Sequence, residues 1–592
     1  MMKLCNESYD VIVIGAGGGG LRSAIGAAQE GAKTLVICRG RANRSGATLL
    51  AGANISADIA CDGETLSRLG VSQGNKKDTK DDWFADIVHE GFYLNHQDLV
   101  KLYVETAGDR LGEMIDWGME VHGMEGAREV SVFGSDILDT MMKRCRALDV
   151  SFMEDTLFAD LLMRDGQVCG VVCADLYSGE LFAVQSRAVV LATGGAHNIF
   201  NENSGSSDLC GEGQAAAMRA GAETVDMEMV SFCPTVVTWP VMYKGNILPY
   251  ILFSTGYGRV MNKYGKTFTD RYLSKSVERL ALDSEWNKML LSYALNAEIQ
   301  AGRGTRQGGL YYALDLHPQE ILEELYQDLP PLKTGIYADI MKIFESDRSL
   351  VIKPAAHYFE GGIRIDTDCA TTVPGLYAAG ECTGGLFGAN RVSAATTEMM
   401  VEGAVAGKNA AAFARGSQLP APDTAQMDAI EAELLKPFQN KGGLSPEEIL
   451  AKLHAITGEA MPVIRTAEKL TQGIEDVVQL EHELENVTIA TASRAYNREW
   501  RRCLELRSML PVAKTMMKSA LVRDESRGVH VRGDALRTSN VKGLYNICFK
   551  GLSLEATRLP AVMTRMEPEM GEWRYTEYIE KIVAEEAGEE MA

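Results

Sequence analysis

A chain of 592 residues, 46% hydrophobic and 24% charged, is too long for one ordinary core and too apolar for disorder, so two to four globular domains are expected. Its net charge of −22, from 59 basic and 81 acidic residues, argues against nucleic acid or an anionic membrane surface as the main partner. An internal pocket can still be locally basic.

The first predicted strand is Tyr-Asp-Val-Ile-Val-Ile at 9–14, followed by Gly15-Ala16-Gly17-Gly18-Gly19-Gly20. Residues 21–28 then carry helical spacing, and 33–38 form a second apolar run. Strand, glycine turn, helix and strand are the context that a dinucleotide fingerprint needs, with Gly15, Gly17 and Gly20 at the G-x-G-x-x-G positions. The first glycine permits the tight turn, the second lets the backbone approach a pyrophosphate, and the third allows close helix–strand packing. The phosphates would meet free N–H groups at the helix start. The acid expected about 20 residues on, for a ribose hydroxyl, is missing. Cys38 and Arg39 end the second strand, and Glu30 precedes it, badly placed. This weakens an NAD reading.

Residues 40–60 read as a loop, including Arg44-Ser45-Gly46-Ala47-Thr48, and helical patterns fill much of 80–145. Strand-like runs at 158–163 and 168–173 flank Asp165-Gly166, a hairpin signal. A buried strand at 188–195 ends in Ala192-Thr193-Gly194-Gly195. From about 226 to 350 aromatics, short strands and helical stretches replace the glycine turns, as in an inserted domain. The nucleotide pattern resumes at 373–381, where a strand runs into Gly380 and Glu381. A small-residue helix is expected over 390–414, a linker over 416–427, and helices with heptad-like spacing over 428–520. The remainder is mixed, with a charged tail at 585–590.

The twelve cysteines include no C-x-x-C pair, which reads as buried thiols in a reducing compartment and as neither a disulfide framework nor a cluster or zinc site. The chain enters its first strand almost directly, and no apolar stretch is long enough to span a bilayer. The expectation is a cytoplasmic protein with no direct membrane insertion.

Three separated blocks, at 15–20, 192–195 and 375–381, resemble the FAD-binding blocks of the succinate dehydrogenase/fumarate reductase flavoprotein family. Further stretches resemble the family in its order: Cys210-Gly211-Glu212-Gly213, Gly258-Arg259-Val260-Met261-Asn262, His357-Tyr358-Phe359-Glu360-Gly361-Gly362-Ile363, Gly388-Ala389-Asn390-Arg391, and Glu525-Ser526-Arg527-Gly528-Val529-His530-Val531-Arg532. The resemblance implies an α/β fold: a Rossmann-like FAD-binding domain with an inserted α+β capping domain and a C-terminal helical domain. In this chain these would be FAD-binding parts at 1–225 and 351–415, a capping domain at 226–350, a helical domain at 416–520 and a small C-terminal domain at 521–592. It assigns FAD contacts to Gly15, Gly17, Gly18, Gly20, Cys38, Arg39, Ser45, Gly46, Ala47, Gly52, Ala192, Thr193, Gly194, Gly195, Glu212, His357, Gly380, Glu381, Arg391 and Ser393. Glu381 matches the family acid on the FAD ribose, and Cys38-Arg39 fits members that lack the earlier acid.

The chemistry departs from the family at several points. Many respiratory members hold the flavin covalently through the histidine of R-S-H-T, whereas here Arg44-Ser45 is followed by Gly46, so FAD is expected to be noncovalent. The E-x-x-R-G-E-G stretch, whose arginine serves proton transfer, has Ser254 at the arginine and Ile251 and Gly256 at the acids. The F-H-P-T of the family becomes Phe232-Cys233-Pro234-Thr235. His357 and Arg391 remain, and in the family this pair grips a carboxylate, for which a planar guanidinium is well shaped. Tyr257, Cys233 and Tyr250 are the candidate proton donors, with Tyr257 preferred, and Arg259 is a candidate in a shifted register. Packing roles compete with function at Tyr257 and Cys233. His530 reads as structural or near an electron-transfer partner, while His122 and His197 have no motif around them and read as surface or structural.

The expected function is an FAD-dependent oxidoreductase acting on the C=C or CH–CH bond of an organic acid other than fumarate or succinate, exchanging electrons with an iron–sulfur or other electron-transfer subunit. The alternatives are flavin chemistry like that of adenylylsulfate reductase, fumarate reductase or succinate dehydrogenase proper, an amino-acid oxidase, and an electron-transfer subunit with a degenerate pocket.

Overall fold

The computed structural model describes residues 2–57, 79–121, 123–125, 128–248, 259–278, 286–313, 349–391 and 394–586, with the single positions 323, 338, 339 and 342. Among these residues an eight-stranded sheet has the order Ser151–Met153, Thr34–Ile37, Tyr9–Ile14, Leu181–Leu191, Gln167–Asp175 and Thr156–Arg164. Leu376–Ala378 and Lys3–Leu4 also pair with Leu181–Leu191. The nucleotide strands run parallel, with Val13 opposite both Val36 and Val190. Val11, Ile12 and Val13 are fully buried, which is why this strand reads as an unbroken apolar run and not an alternation.

The hairpin at 165–166 is present: Asp165 and Gly166 both have positive φ (51° and 78°), as a two-residue turn between antiparallel strands requires. Residues 40–60 depart from the expected loop. They contain a short helix, Ala47–Leu50, and a strand, Gly52–Ser56, which pairs with Glu129–Phe133. That pairing is made across the chain and leaves no local signal. Region 80–145 holds the helices Lys80–Glu90, Gln97–Asp116 and Gly134–Ala147, interrupted by the strands Gly123–Glu125 and Glu129–Phe133. The expected linker ends early, because Asp423 caps a helix that starts at Thr424.

The helix Gly18–Gln29 packs against Ala395–Gly416, the expected small-residue helix. A Cβ on Gly407 would lie 2.0 Å from the Ser23 carbonyl oxygen, and one on Gly403 2.9 Å from that of Gly19. Hydrogen is the only side chain that this crossing admits.

A four-stranded antiparallel sheet, ordered Val230–Trp239, Ser349–Phe359, Leu310–Ala313 and Arg259–Met261, stands beside the nucleotide sheet. Its strand Ser349–Phe359 crosses the expected boundary at 350 and carries His357 toward its end. The helix Asn287–Glu298 packs on this sheet, and Ser292 Oγ donates to the Phe232 carbonyl at 2.8 Å. A five-stranded sheet, ordered Thr383–Gly384, Gly362–Arg364, Glu223–Val225, Tyr545–Lys550 and Ala556–Pro560, joins strands from widely separated parts of the chain. The helices Pro446–Ala460, Ala467–Glu485 and Arg498–Val522 pack together, and the last also contacts Glu212–Arg219.

Arg523, fully buried at the end of Arg498–Val522, ties these parts together. Its Nε donates to Glu228 at 2.5 Å, its Nη2 to Asp226 at 3.2 Å and to the Tyr545 carbonyl at 3.0 Å. Burial and the neighbouring Glu228 push the Asp226 carboxyl up to about 7 even with the guanidinium beside it. Removing the arginine would leave two carboxylates buried and unpaired, at a cost of about 3–5 kcal/mol. Arg523→Met is therefore expected to lower the thermal unfolding midpoint sharply at pH 8 and less at pH 5.5, where the orphaned Asp226 takes up a proton. A midpoint equal to that of the parent at both pH values would show that this network does not hold the parts together.

Candidate active site

One cavity of about 510 Å³ runs from the glycine turn to the four-stranded sheet. At one end lie Gly15, Gly17 and Gly18. Gly15 has φ of 108°, and a Cβ on it would meet the Ala192 carbonyl oxygen at 2.2 Å, so the turn requires glycine there. Gly17 caps the helix Gly18–Gln29 with no side-chain hydrogen bond. The Gly18 N–H donates to Thr48 Oγ1 at 3.2 Å, and the helix start lies open to the cavity. Free N–H groups and the positive end of the helix dipole make this a place for a pyrophosphate. Gly20 does not reach the cavity wall. Its Cβ position lies 1.8 Å from the Gly15 carbonyl oxygen, so its role is packing.

Cys38, Arg39 and Glu212 line the same end. The Cys38 thiol donates to the Gly40 carbonyl at 3.2 Å, and burial pushes it up to about 12, so it remains a neutral thiol. Arg39 is not available to a ribose as a lone cation. It pairs with Glu212 at the start of helix Glu212–Arg219 and with Glu505 (Nη1–Oε1 3.1 Å) on helix Arg498–Val522.

Ser45, Gly46, Ala47, Ala192, Thr193, Gly194, Gly380 and Glu381 line the middle. Gly195 stands behind the wall and donates its N–H to Glu381 Oε2 at 3.2 Å. Gly52 lies in the strand Gly52–Ser56. Thr193 Oγ1 and Glu381 Oε1 are buried with no hydrogen-bond partner among the described residues. Glu381 Oε1 is 3.5 Å from His197 Nε2, whose 2.8 Å hydrogen bond goes instead to the His357 carbonyl. Burial pushes the Glu381 carboxyl up to about 8 and the His197 imidazole down to about 4. An open glycine helix start at one end and unsatisfied buried oxygens in the middle fit a bound dinucleotide such as FAD.

At the far end the wall is made by Cys233, Ile247, Lys288, His357, Tyr358 and Arg391. His357 Nδ1 is 2.8 Å from Ser204 Oγ. Burial, with the positive charges of Lys288 and Arg391, holds its imidazole well below the usual range, so it is neutral. The Arg391 guanidinium stacks 4.3 Å from the Tyr358 ring centroid. The Tyr358 hydroxyl donates to Glu398, also on the wall. Cys233 is fully buried, its Sγ 3.8 Å from Thr235 Oγ1, and burial pushes its thiol up. A planar cation and a neutral imidazole beside one another can orient a carboxylate.

The expected pair His357 and Arg391 thus share one cavity with Cys233 and the glycine turn. Tyr250, Ser254, Tyr257 and Ser393 lie outside the described residues, as does His122. Arg259 lies in the strand Arg259–Met261 and is exposed, away from the cavity wall. His530 is buried against Arg465 Nη1 at 3.1 Å, in the structural surroundings expected of it. His197, expected to be surface or structural, is not at the surface: it is buried on the cavity wall. Its only sequence signal was the position just after the Gly194-Gly195 turn. Lys288, Ser204 and Glu398 were also missed. None stands in a recognisable motif, and strand and helix packing brings each to the wall.

A family model described as FAD binding domain matches residues 10–397, and one described as Fumarate reductase flavoprotein C-term matches 450–570. The chain is 30% identical to the "Fumarate reductase flavoprotein subunit" of Mycobacterium tuberculosis, over 89% of this chain and 92% of the relative. It is 29% identical to the "Fumarate reductase flavoprotein subunit" of Escherichia coli, over 89% and 88%. Its fold is similar to the solved structure "Mycobacterium smegmatis Sdh1 in complex with UQ1", with a TM-score of 0.83, 27% identity and 96% of each chain covered.

Three carboxyls, Glu360, Glu398 and Glu402, are buried around the cavity and behind it, and the Glu381 side chain is only 10% exposed. Burial raises each; Glu360 reaches about 7, Glu398 reaches about 8 with Glu381 and Glu360 raising it further, and Glu398 in turn raises Glu402, one helical turn on. Carboxyls that bind protons more tightly in the folded than in the unfolded state stabilise fully below the ordinary carboxyl range. That stability is lost as pH rises through about 7 to 8. The flavin-free protein is therefore expected to unfold at lower temperature at pH 8.5 than at pH 6. Glu402→Gln should flatten that dependence, and equal slopes in parent and variant would remove Glu402 from it.

Proposed function

The chain belongs to the fumarate reductase/succinate dehydrogenase flavoprotein family of FAD-dependent oxidoreductases, with FAD as its cofactor, and from that premise we propose that it oxidises or reduces the C=C/CH–CH bond of an organic acid other than fumarate or succinate. Bound FAD supplies a two-electron hydride exchange. What carries the reading is that His357 and Arg391 line the same cavity as the glycine turn. Arg391 offers a planar, permanently charged fork to one carboxylate. His357, neutral and tied through Nδ1 to Ser204, adds a second polar contact of fixed orientation. Cys233 stands where the family has an imidazole, and a neutral thiol is a poor ligand for a second carboxylate. That change at the substrate end is the ground for a substrate other than fumarate or succinate.

The flavin is held without a covalent bond in this reading, since Gly46, at the R-S-H-T histidine position, has no side chain to bond it. Gly15, Gly17 and Gly18 receive the pyrophosphate, and Glu381 and Thr193 offer their unpartnered oxygens to FAD hydroxyl or ring groups. Electrons are exchanged with a partner, an iron–sulfur or other electron-transfer subunit. The relatives' own names as subunits support this, as does the C-terminal segment 525–532. No helix of the described residues is long and apolar enough to cross a membrane. A cytoplasmic location suits the unpaired thiols found at all eleven described cysteines. The division at 225, 350, 415 and 520 is proposed with strands shared across it, since Ser349–Phe359 and Glu223–Val225 pair with neighbours from other parts.

Acid precipitation is expected to leave a colourless pellet and to release FAD into the supernatant; flavin that stays on the polypeptide would contradict noncovalent binding. After anaerobic reduction, a panel of enoates, ketosteroids, adenylylsulfate and oxygen should show fast reoxidation by a carboxylate-bearing enoate. His357→Ala and Arg391→Ala should each weaken that substrate by about 2–3 kcal/mol, seen as a KM raised about 30-fold to 160-fold. Unchanged kinetics in both variants would remove the carboxylate anchor.

A further inference from the structure

We propose that Lys288 is the acid that delivers the proton to the substrate carbon next to the one receiving hydride, and the base that removes it in the reverse direction. This rests on the organic-acid reading of the site above. Lys288 is the second residue of the helix Asn287–Glu298. It is placed by Ser292, one turn on and on the same face of that helix. Ser292 Oγ is bonded to the carbonyl of Phe232, the residue before Cys233. The helix start is thereby held over the strand Val230–Trp239, and Lys288 joins Cys233, Ile247, His357 and Arg391 on the cavity wall. Its charge is felt by both His357 and Cys233.

The other described groups at that end are poor acids for carbon. Arg391 is stacked on the Tyr358 ring and is the fork assigned to the substrate carboxylate. His357 is already neutral, and its Nδ1 is engaged by Ser204. Burial pushes the Cys233 thiol up. The Tyr358 hydroxyl gives its hydrogen to Glu398. A lysine ammonium can give up and regain a proton, and Lys288 extends from a first helical turn, where the positive end of the helix dipole opposes an ammonium. In the reducing direction the substrate gains a C–H bond from hydride at one carbon as the C=C π bond breaks and its electron pair moves to the neighbouring carbon. The N–H bond of the Lys288 ammonium breaks as a C–H bond forms at the neighbouring carbon, its electron pair stays on nitrogen, and solvent restores the proton. The two electrons are those the flavin supplies.

The test uses the FAD-loaded full chain and four variants: Lys288→Met, Lys288→Arg, Tyr257→Phe and Cys233→Ala. The flavin is reduced with dithionite, and its reoxidation is followed with the enoate that reoxidises the parent fastest and, separately, with oxygen. Lys288→Met should slow enoate reoxidation by a hundredfold or more and leave oxygen reoxidation and FAD content within about twofold. The parent's rate should fall at alkaline pH, and in Lys288→Arg that fall should disappear, because arginine does not titrate there. A readout free of turnover is the flavin difference spectrum on titration with malonate: its Kd should rise several-fold in Lys288→Met and lose its alkaline weakening in Lys288→Arg. Enoate reoxidation in Lys288→Met within threefold of the parent, an alkaline limb that moves only in Tyr257→Phe or Cys233→Ala, or malonate binding indifferent to Lys288 would each overturn the assignment and leave the organic-acid reading standing. A parent flavin that no enoate reoxidises would overturn that reading, and the assignment with it.

Discussion

The structure depends on two backbones coming closer than any side chain permits. The helix Gly18–Gln29, which presents its open end to the cavity, lies against Ala395–Gly416, and glycines 403 and 407 leave room for the carbonyls of Gly19 and Ser23. Dispersion and apolar burial over such a crossing depend on contact distances of a few ångströms, so a methyl group at either glycine would force the helices apart. The consequence reaches the site. Ala395–Gly416 carries Glu398 and Met399 on the cavity wall, and Arg391 lies just ahead of it. Cofactor end and substrate end are therefore set by one contact between segments almost 400 residues apart in sequence.

Electrostatics divides the cavity in two. Around its middle stand Glu381, nearly buried, and the buried Glu398 and, behind them, the buried Glu360 and Glu402, with Arg391 as the nearby guanidinium. So many buried carboxylates cannot all be ionised against so little positive charge, and burial with mutual repulsion keeps protons on them near neutrality. At the substrate end Lys288 and Arg391 face a neutral imidazole and a neutral thiol. An anion entering from the bulk leaves the field of a chain with net charge −22 and meets two cations in a partly dehydrated space. Uncharged carboxyls behind the site do not cancel that attraction, whereas ionised ones would.

How far the sequence could be read follows from whether each feature is local. The glycine turn was legible because its backbone demands are satisfied within a few residues: Gly15 at φ of 108°, Gly17 as helix cap, Gly20 against Gly15. The Asp165-Gly166 turn was legible for the same reason. The strand Gly52–Ser56 and the helix Ala47–Leu50 were read as loop, since their partners are distant and their composition is that of a turn. His357 and Arg391 were found through motifs. His197 and Lys288 were not, because what brings them to the cavity is the packing of a glycine turn on Phe359 in one case and of Ser292 on Phe232 in the other. Arg39 was read as a cofactor-side residue, and the structure shows its charge already engaged by Glu212 and Glu505, which sequence spacing could not reveal.

The two ends of the cavity are built from different materials, and this bears on how substrate specificity can differ while the cofactor stays the same. The glycine turn presents main-chain N–H groups and one positive-φ glycine, Gly15, to the cavity, so its geometry is fixed by the backbone and tolerates little change. The substrate end is made of side chains on separate elements: Cys233 on Val230–Trp239, His357 on Ser349–Phe359, Lys288 on Asn287–Glu298 and Arg391 ahead of Ala395–Gly416. Exchanging one such side chain leaves the strand registers and helix contacts in place. A cation can stand on the helix packed over a strand whose own residue, Cys233, is uncharged, as Lys288 does here. Where positive charge sits in the pocket is therefore set by single side chains and not by the scaffold.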